Sequence, residues 1–368
     1  MRKREFKNME WGLLIVAIIL TIIGIVALFS ATQETNYDEF KKQIIWFVAS
    51  LIIMVIVMLI NYETLVKLSP IFYGVFLILL IAVLFTKPVN GATSWFNIGI
   101  FSFQPSEFAK IVVILFLTLI ISKIQERYKE DINKPTRLLI IFVALAVPLI
   151  LIIKQPDYGT AMAFCIALVM MLFTAGIDKK YIIGTAIVTI ISIPLLYNFI
   201  LPEHAKKRID IFLNPESDPR GSGYNIIQSK LAIGAGRLTG MGILKGNQTQ
   251  LGYLYPKTTD FIFSVIGEEM GFIVAGTIII LYVFLVTKAL YVAKTAKDNI
   301  GALIASGIAG IFFFHMVENI GMVMGLLPIT GVPLLFISYG GSSLITSYIL
   351  IGILLNISSK RQKTIFVK

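Results

Sequence analysis

The chain has 368 residues, 57% of them apolar and only 14% charged, with a formal net charge of +11. Soluble domains carry about a quarter charged residues. With a mean hydropathy of +0.85, this composition excludes a soluble globular enzyme, a disordered chain and a disulfide-stapled secreted domain. One cysteine, Cys165, and two histidines leave neither an internal disulfide nor a zinc cluster to consider. No nucleic-acid motif accompanies the basic excess, which therefore reads as orientation signal and attraction to anionic lipid headgroups.

Apolar stretches predict ten membrane-spanning helices, at 11–31, 44–60, 68–86, 108–122, 138–153, 160–176, 181–201, 262–287, 301–325 and 334–356. The fold class is an all-α polytopic membrane protein, one domain over 1–368. Arg2, Lys3, Arg4 and Lys7 precede the first span, which is too long for a secretory leader and lacks a cleavage site. With the N-terminus inside, nineteen basic residues fall on the cytoplasmic side. Only Lys41, Lys42, Lys87 and Lys154 fall in the short outer loops. The positive-inside rule then predicts cytoplasmic termini and a long outer loop, about 202–261, between spans 7 and 8. Its apolar pieces, such as 226–233, are expected to lie along the membrane as amphipathic helices.

Ionisable groups at membrane depth cost about 2.5–3.5 kcal/mol on insertion scales and mark sites or internal pairs. In chain order, the first cluster is Gln104, Pro105, Ser106, Glu107 and Lys110 at the start of span 4. Glu107 and Lys110, three apart, share a helix face. They read either as a salt bridge that makes the span insertable or as a polar floor for a headgroup, with Lys110 available to a phosphate. The turn Lys154–Thr160 carries Asp157, a helix cap on the simpler reading. In the long loop come Lys206, Lys207 and Arg208, then Asp218–Tyr224, then the glycine-rich 234–246, a composition suited to phosphate or pyrophosphate. Asp260, in Thr259-Asp260-Phe261-Ile262-Phe263, sits where loop becomes span. There it is either a helix cap or a general base with a raised pKa. Glu268, Glu269, His315 and Glu318 read as internal polar contacts. Dense proline and glycine over 325–333, then Ser338-Tyr339-Gly340-Gly341-Ser342-Ser343, predict a broken segment that walls a polar cavity.

Five motifs in this order resemble the SEDS family (shape, elongation, division and sporulation): Gln-Pro-Ser-Glu at 104–107, Gln-Pro-Asp-x-Gly-Thr at 155–160, Asp-Pro-x-Gly-x-Gly-Tyr at 218–224, Thr-Asp-Phe-Ile-Phe with Glu-Glu at 259–269, and Gly-Leu-Leu-Pro-x-Thr-Gly with Ser-Tyr-Gly-Gly-Ser-Ser at 325–343. The resemblance spans nearly the whole chain. It implies a peptidoglycan glycosyltransferase that polymerises lipid II at the outer face of the bacterial cytoplasmic membrane, releases undecaprenyl pyrophosphate and partners a class B penicillin-binding protein. It also implies that Asp260 is the essential residue. On that reading Lys110 and Arg208 stabilise the leaving group, with a divalent cation (Mg or Mn) as a candidate aid and no organic cofactor. Glu107 holds Lys110, Asp157 shapes the cavity, and Gln104, Ser106 and Ser342 line it. Two departures stand out. Leu254-Tyr255-Pro256-Lys257-Thr258 replaces the usual Leu-Pro-Glu-x-His, and Pro333-Leu334-Leu335 replaces Pro-Leu-Pro. Short tails point to the elongation (RodA-like) branch. The rival readings are a lipid II flippase and a non-catalytic scaffold.

Overall fold

A computed structural model describes residues 6–88, 92–98, 101–128, 131–200, 202–219 and 221–361. Of the residues discussed above, Arg2, Lys3, Arg4 and Arg220 lie outside them, as do Lys129, Lys363 and Lys368 among the nineteen basic residues counted as cytoplasmic. Among the described residues ten helices have 17 residues or more: α1 (Trp11–Ala31), α2 (Asp38–Leu59), α3 (Tyr62–Val83), α4 (Pro105–Arg127), α5 (Pro135–Lys154), α6 (Tyr158–Thr174), α7 (Lys179–Leu195), α11 (Ile262–Thr295), α12 (Asn299–Val323) and α13 (Gly341–Ser358). Each falls on one of the ten expected spans. Seven are long and apolar enough to cross a membrane by length and composition alone. The other three are α4, charged at both ends, and α6 and α7, 17 residues each. The chain is a multi-pass helical membrane protein.

Between α7 and α11 lie a wide turn over Leu196–Ile200 and three shorter helices, α8 (Glu203–Leu213), α9 (Ser222–Ala235) and α10 (Asn247–Gln250). A small antiparallel hairpin, β1 (Phe96–Ile98) with β2 (Phe101–Phe103), precedes α4 and pairs Phe96 with Phe103. The sequence reading did not anticipate it.

Burial orders the bundle. In α12 and α13, 72% and 78% of the most apolar stretch is buried, against 22% in α2 and α3. The former pair therefore forms the centre, while the latter present apolar faces to lipid. Packing is close because small residues permit it. A side chain at Gly310 of α12 would sit 3.0 Å from the Ala167 backbone of α6, and one at Gly352 of α13 would sit 2.8 Å from the Met54 carbonyl of α2. By contrast, Ile183, Ile187, Val188, Ile190, Ile191 and Leu195 of α7 are all exposed, so this helix stands apart from the central pair.

Helix limits differ from expectation at several ends, and four of them have a plain physical reason. α2 and α3 start six residues early, at Asp38 and Tyr62, because a helix runs past the apolar core into the polar interface; Asn61 caps α3 by accepting from the Glu63 amide at 3.2 Å. Span 7 stops being α-helical at Leu195, one residue after Pro194. The last span begins at Gly341, not at 334. Leu334, Leu335, Phe336 and Ile337 are fully buried yet irregular, with positive φ at Gly331, Phe336 and Gly340. The segment between α12 and α13 is thus broken, as its prolines and glycines predict.

The long loop is docked on the bundle. Ser229 of α9 is buried and hydrogen-bonds Ser264 of α11 at 2.7 Å and donates to the Val323 carbonyl of α12 at 2.6 Å. This helix therefore caps the helix ends instead of lying on lipid. Gly271 interrupts α11 with φ +77° and ψ −178°, a conformation essentially reserved for glycine. Backbone groups freed around the break are taken by the loop. Met241 and Gly242 donate to the Glu268 and Glu269 carbonyls at 2.9 and 3.0 Å, and Phe272 and Ile273 donate to the Arg237 and Leu238 carbonyls at 2.8 and 3.1 Å. The glycine-rich stretch thus spends these amides on α11. Glu268 and Glu269, both buried, serve the same junction. Glu268 accepts from the Gln248 and Thr249 amides at 2.7 and 2.9 Å and from the Thr249 hydroxyl at 2.6 Å. Glu269 accepts from Ser30 at 2.7 Å and Gln250 at 2.9 Å.

Candidate active site

His315, Glu318 and Asn319 stand at i, i+3 and i+4 of α12 and so share one face. All three are buried and all three grip the broken segment. His315 Nδ1 bonds the Pro333 carbonyl at 2.9 Å, Glu318 Oε1 accepts from the Thr330 hydroxyl at 2.7 Å, and Asn319 Nδ2 donates to the Val332 carbonyl at 2.8 Å. Asn319 Nδ2 also donates to the Asp260 carbonyl at 3.0 Å. Two further bonds fix the approach to Asp260: the Ser338 hydroxyl donates to the Thr259 carbonyl at 2.8 Å, and the Tyr339 amide to the Thr258 carbonyl at 2.9 Å. Three consecutive carbonyls are therefore held from α12 and the broken segment, which sets the Asp260 backbone rigidly at the start of α11.

The Asp260 carboxyl is partly accessible, and burial pushes its pKa up to about 6. The Thr259 side chain and the Arg208 guanidinium oppose that rise without cancelling it. Arg208, delivered by α8, donates from Nη1 to the Thr330 carbonyl at 3.3 Å. Asp260, Arg208, Thr330 and Glu318 therefore meet around the broken segment. A carboxylate with a pKa near 6 is mostly ionised at neutral pH and still basic enough to accept a proton, as a general base requires.

A second group surrounds the start of α4. Pro105 opens the helix at a position where its missing N–H costs nothing. Ser342 Oγ accepts from the Gln104 amide at 3.2 Å and donates to the Ser102 carbonyl at 3.2 Å, which ties the hairpin to α13. Asp157 caps α6 through the Thr160 amide at 3.1 Å and accepts from Gln104 Nε2 at 3.2 Å and Ser106 Oγ at 3.3 Å. Gln104, Ser106, Asp157 and Ser342 thus bond within one framework. Deeper in α4, Lys110 and Glu107 pair at 2.9 Å with both side chains 2% exposed. Lys110 Nζ also meets His315 Nε2 at 3.0 Å, and Glu107 Oε2 accepts from Thr346 at 3.2 Å. The two groups are joined through His315 and Pro333.

Sequence reasoning singled out Asp260, Arg208, Glu107, Lys110 and Asp157, read Glu318 only as an internal polar contact, and missed Asn319, Thr330 and Ser338 as holders. Asn319 carried a signal, being an amide beside Glu318 on a helix that is otherwise almost wholly apolar. Among the described residues no cluster of three His, Cys, Asp or Glu could hold a metal ion.

Fold and site together define a membrane-embedded protein with a rigidly held, partly buried carboxylate beside the Arg208 guanidinium. The family model described as "Cell cycle protein" (FtsW, RodA, SpoVE) matches residues 10–363, and the chain belongs to that family. It is 36% identical over 359 residues to the peptidoglycan glycosyltransferase MrdB of Escherichia coli K12, covering 96% of this chain and 95% of the relative. It is 38% identical to a probable peptidoglycan glycosyltransferase FtsW of Trichlorobacter lovleyi, covering 97% and 95%. Relatives named for both branches thus match about equally well. Among solved structures, a chain from a peptidoglycan synthase complex coordinating polymerization and crosslinking superposes with a TM-score of 0.81 at 26% identity, covering 95% of this chain and 97% of that one.

Proposed function

We propose that this chain is a peptidoglycan glycosyltransferase that polymerises lipid II into glycan strands. The observation that carries the reading is Asp260, whose backbone is clamped by Asn319, Ser338 and Tyr339 and whose carboxyl has a pKa near 6. Asp260 takes the proton from the 4-hydroxyl of the acceptor's N-acetylglucosamine. That oxygen attacks the anomeric carbon of the donor's N-acetylmuramic acid, the bond from that carbon to pyrophosphate breaks, and undecaprenyl pyrophosphate leaves with the electron pair. The leaving group is already anionic, so it needs fixed positive charge more than a proton. Lys110 and Arg208 supply that charge, Glu107 holds Lys110, and Gln104, Ser106, Asp157 and Ser342 shape the wall around it. A magnesium-like cation is commonly held by one or two carboxylates together with substrate phosphates. With Asp260 kept as the base, Glu318 is the carboxylate of the site that would hold such a cation, which would neutralise charge on the pyrophosphate.

The charge distribution supports cytoplasmic termini and an active site on the outer face of the bacterial cytoplasmic membrane. A class B penicillin-binding protein is the partner this reading assigns. The test is to incubate purified protein and partner with lipid II and a divalent cation, then measure glycan polymer and undecaprenyl pyrophosphate together. One undecaprenyl pyrophosphate per new glycosidic bond supports the transferase. Lipid II translocation in vesicles without polymer would replace it with transport.

A further inference from the structure

His315 is fully buried in α12 and has no part in the proton or leaving-group chemistry above. Its two ring nitrogens face partners of opposite kind. The Pro333 carbonyl at Nδ1 can only accept a hydrogen bond, and the Lys110 ammonium at Nε2 can only donate one. Both bonds form only if the proton sits on Nδ1 and Nε2 is bare, that is, in one tautomer of a neutral ring. The ring thereby completes a chain from Thr346 of α13 through Glu107 and Lys110 of α4 to Pro333 of the broken segment.

An ammonium has three protons. Without the imidazole, Lys110 would have Glu107 alone to orient it, and a single ion pair leaves the head free to swing. With it, two protons are committed at 2.9 and 3.0 Å, and the third is left in a fixed direction relative to the segment that holds Asp260. We infer that His315 is a positioning residue whose Nε2 lone pair aims the Lys110 ammonium for the leaving pyrophosphate. The inference rests on the reading of Lys110 as the cation that stabilises that group.

Asparagine and glutamine separate the two bonds of the ring. The amide of Asn reaches about where Nδ1 sits, so His315→Asn keeps the Pro333 bond and loses Lys110. The amide of Gln reaches about where Nε2 sits, so His315→Gln keeps an acceptor for Lys110. With lipid II and the partner present, His315→Gln retains kcat within about threefold of wild type, whereas His315→Asn loses about tenfold or more with little change in KM. In a Lys110→Ala background neither change costs anything further, because the group they aim is gone. The reverse order, with Asn active and Gln impaired, would make His315 a mere anchor for Pro333 and overturn the inference. So would losses that multiply with Lys110→Ala. Full activity of Lys110→Ala alone would remove the reading beneath it as well, which separates the two failures. An observation independent of any variant is the tautomer. In protein labelled with 15N-histidine, which has only two such residues, one ring at pH 7.5 shows the neutral Nδ1–H form. That signal shifts in Lys110→Ala. An Nε2–H or charged ring at His315 would contradict the assignment.

Discussion

The Lys110–Glu107 pair is a buried ion pair with both side chains 2% exposed; burying two charges stabilises little and breaking them apart is expensive. Lys110→Met alone leaves Glu107 buried and unpaired, and is expected to cost about 3–5 kcal/mol. Adding Glu107→Gln removes that charge, so the double variant recovers most of the thermal midpoint in detergent. Polymerisation stays well below wild type, though measurable, in both. If the double variant also recovered polymerisation, the pair would be structural only. Asp260 has a different signature. Its pKa is raised to about 6 by burial, above the ordinary carboxylate range of about 4 in an unfolded chain. Ionising it in the folded state therefore costs stability, a cost absent below the unfolded pKa and fully present above the folded one. Asp260→Asn is expected to melt higher than wild type at pH 7.5, with the gap narrowing as pH falls through 6 toward 4. Polymerisation by wild type loses its base over the same window, so kcat/KM falls as pH drops below about 6.

At the scale of elements, the break in α11 decides how the loop meets the bundle. A side chain at Gly271 would sit 2.2 Å from the Gly240 amide nitrogen and would also require a backbone conformation foreign to other residues. Gly271→Ala is expected to cost at least about 1–3 kcal/mol and to raise hydrogen exchange across 237–250. Unchanged exchange there would mean that the loop is held by other contacts. Much of this architecture was legible in the residues. All ten long helices, the buried Glu107–Lys110 pair, the broken segment after α12 and the internal roles of Glu268, Glu269, His315 and Glu318 follow from apolar runs and from the cost of buried charge. What escaped had local causes. The hairpin before α4 consists of two three-residue strands, too short for an alternation to register. Buried Leu334–Ile337 read as helix because composition reports burial and not backbone shape. Asn319 and Ser338 escaped because neutral polar residues carry no desolvation signal large enough to stand out.

At the scale of the molecule, the polar clusters around Asp260 and Lys110 are bonded to the central helices α12 and α13 and to the segment that joins them. The periphery is given over to lipid. Orientation is checked with a Cys165→Ser background carrying one new cysteine at a time. Lys257→Cys is expected to react with an impermeant maleimide on intact cells, and Lys297→Cys only after permeabilisation. The opposite pattern would invert the protein and its site. The central claim is that Asp260 is the base of a lipid II polymerase. Its most direct test compares wild type and Asp260→Asn with partner, lipid II and a divalent cation, both proteins being shown to fold and to bind the partner equally. The account predicts a glycan ladder from wild type and a loss of at least about 100-fold with Asn, the lower range of what a general base contributes. Equal polymer from both proteins would contradict it.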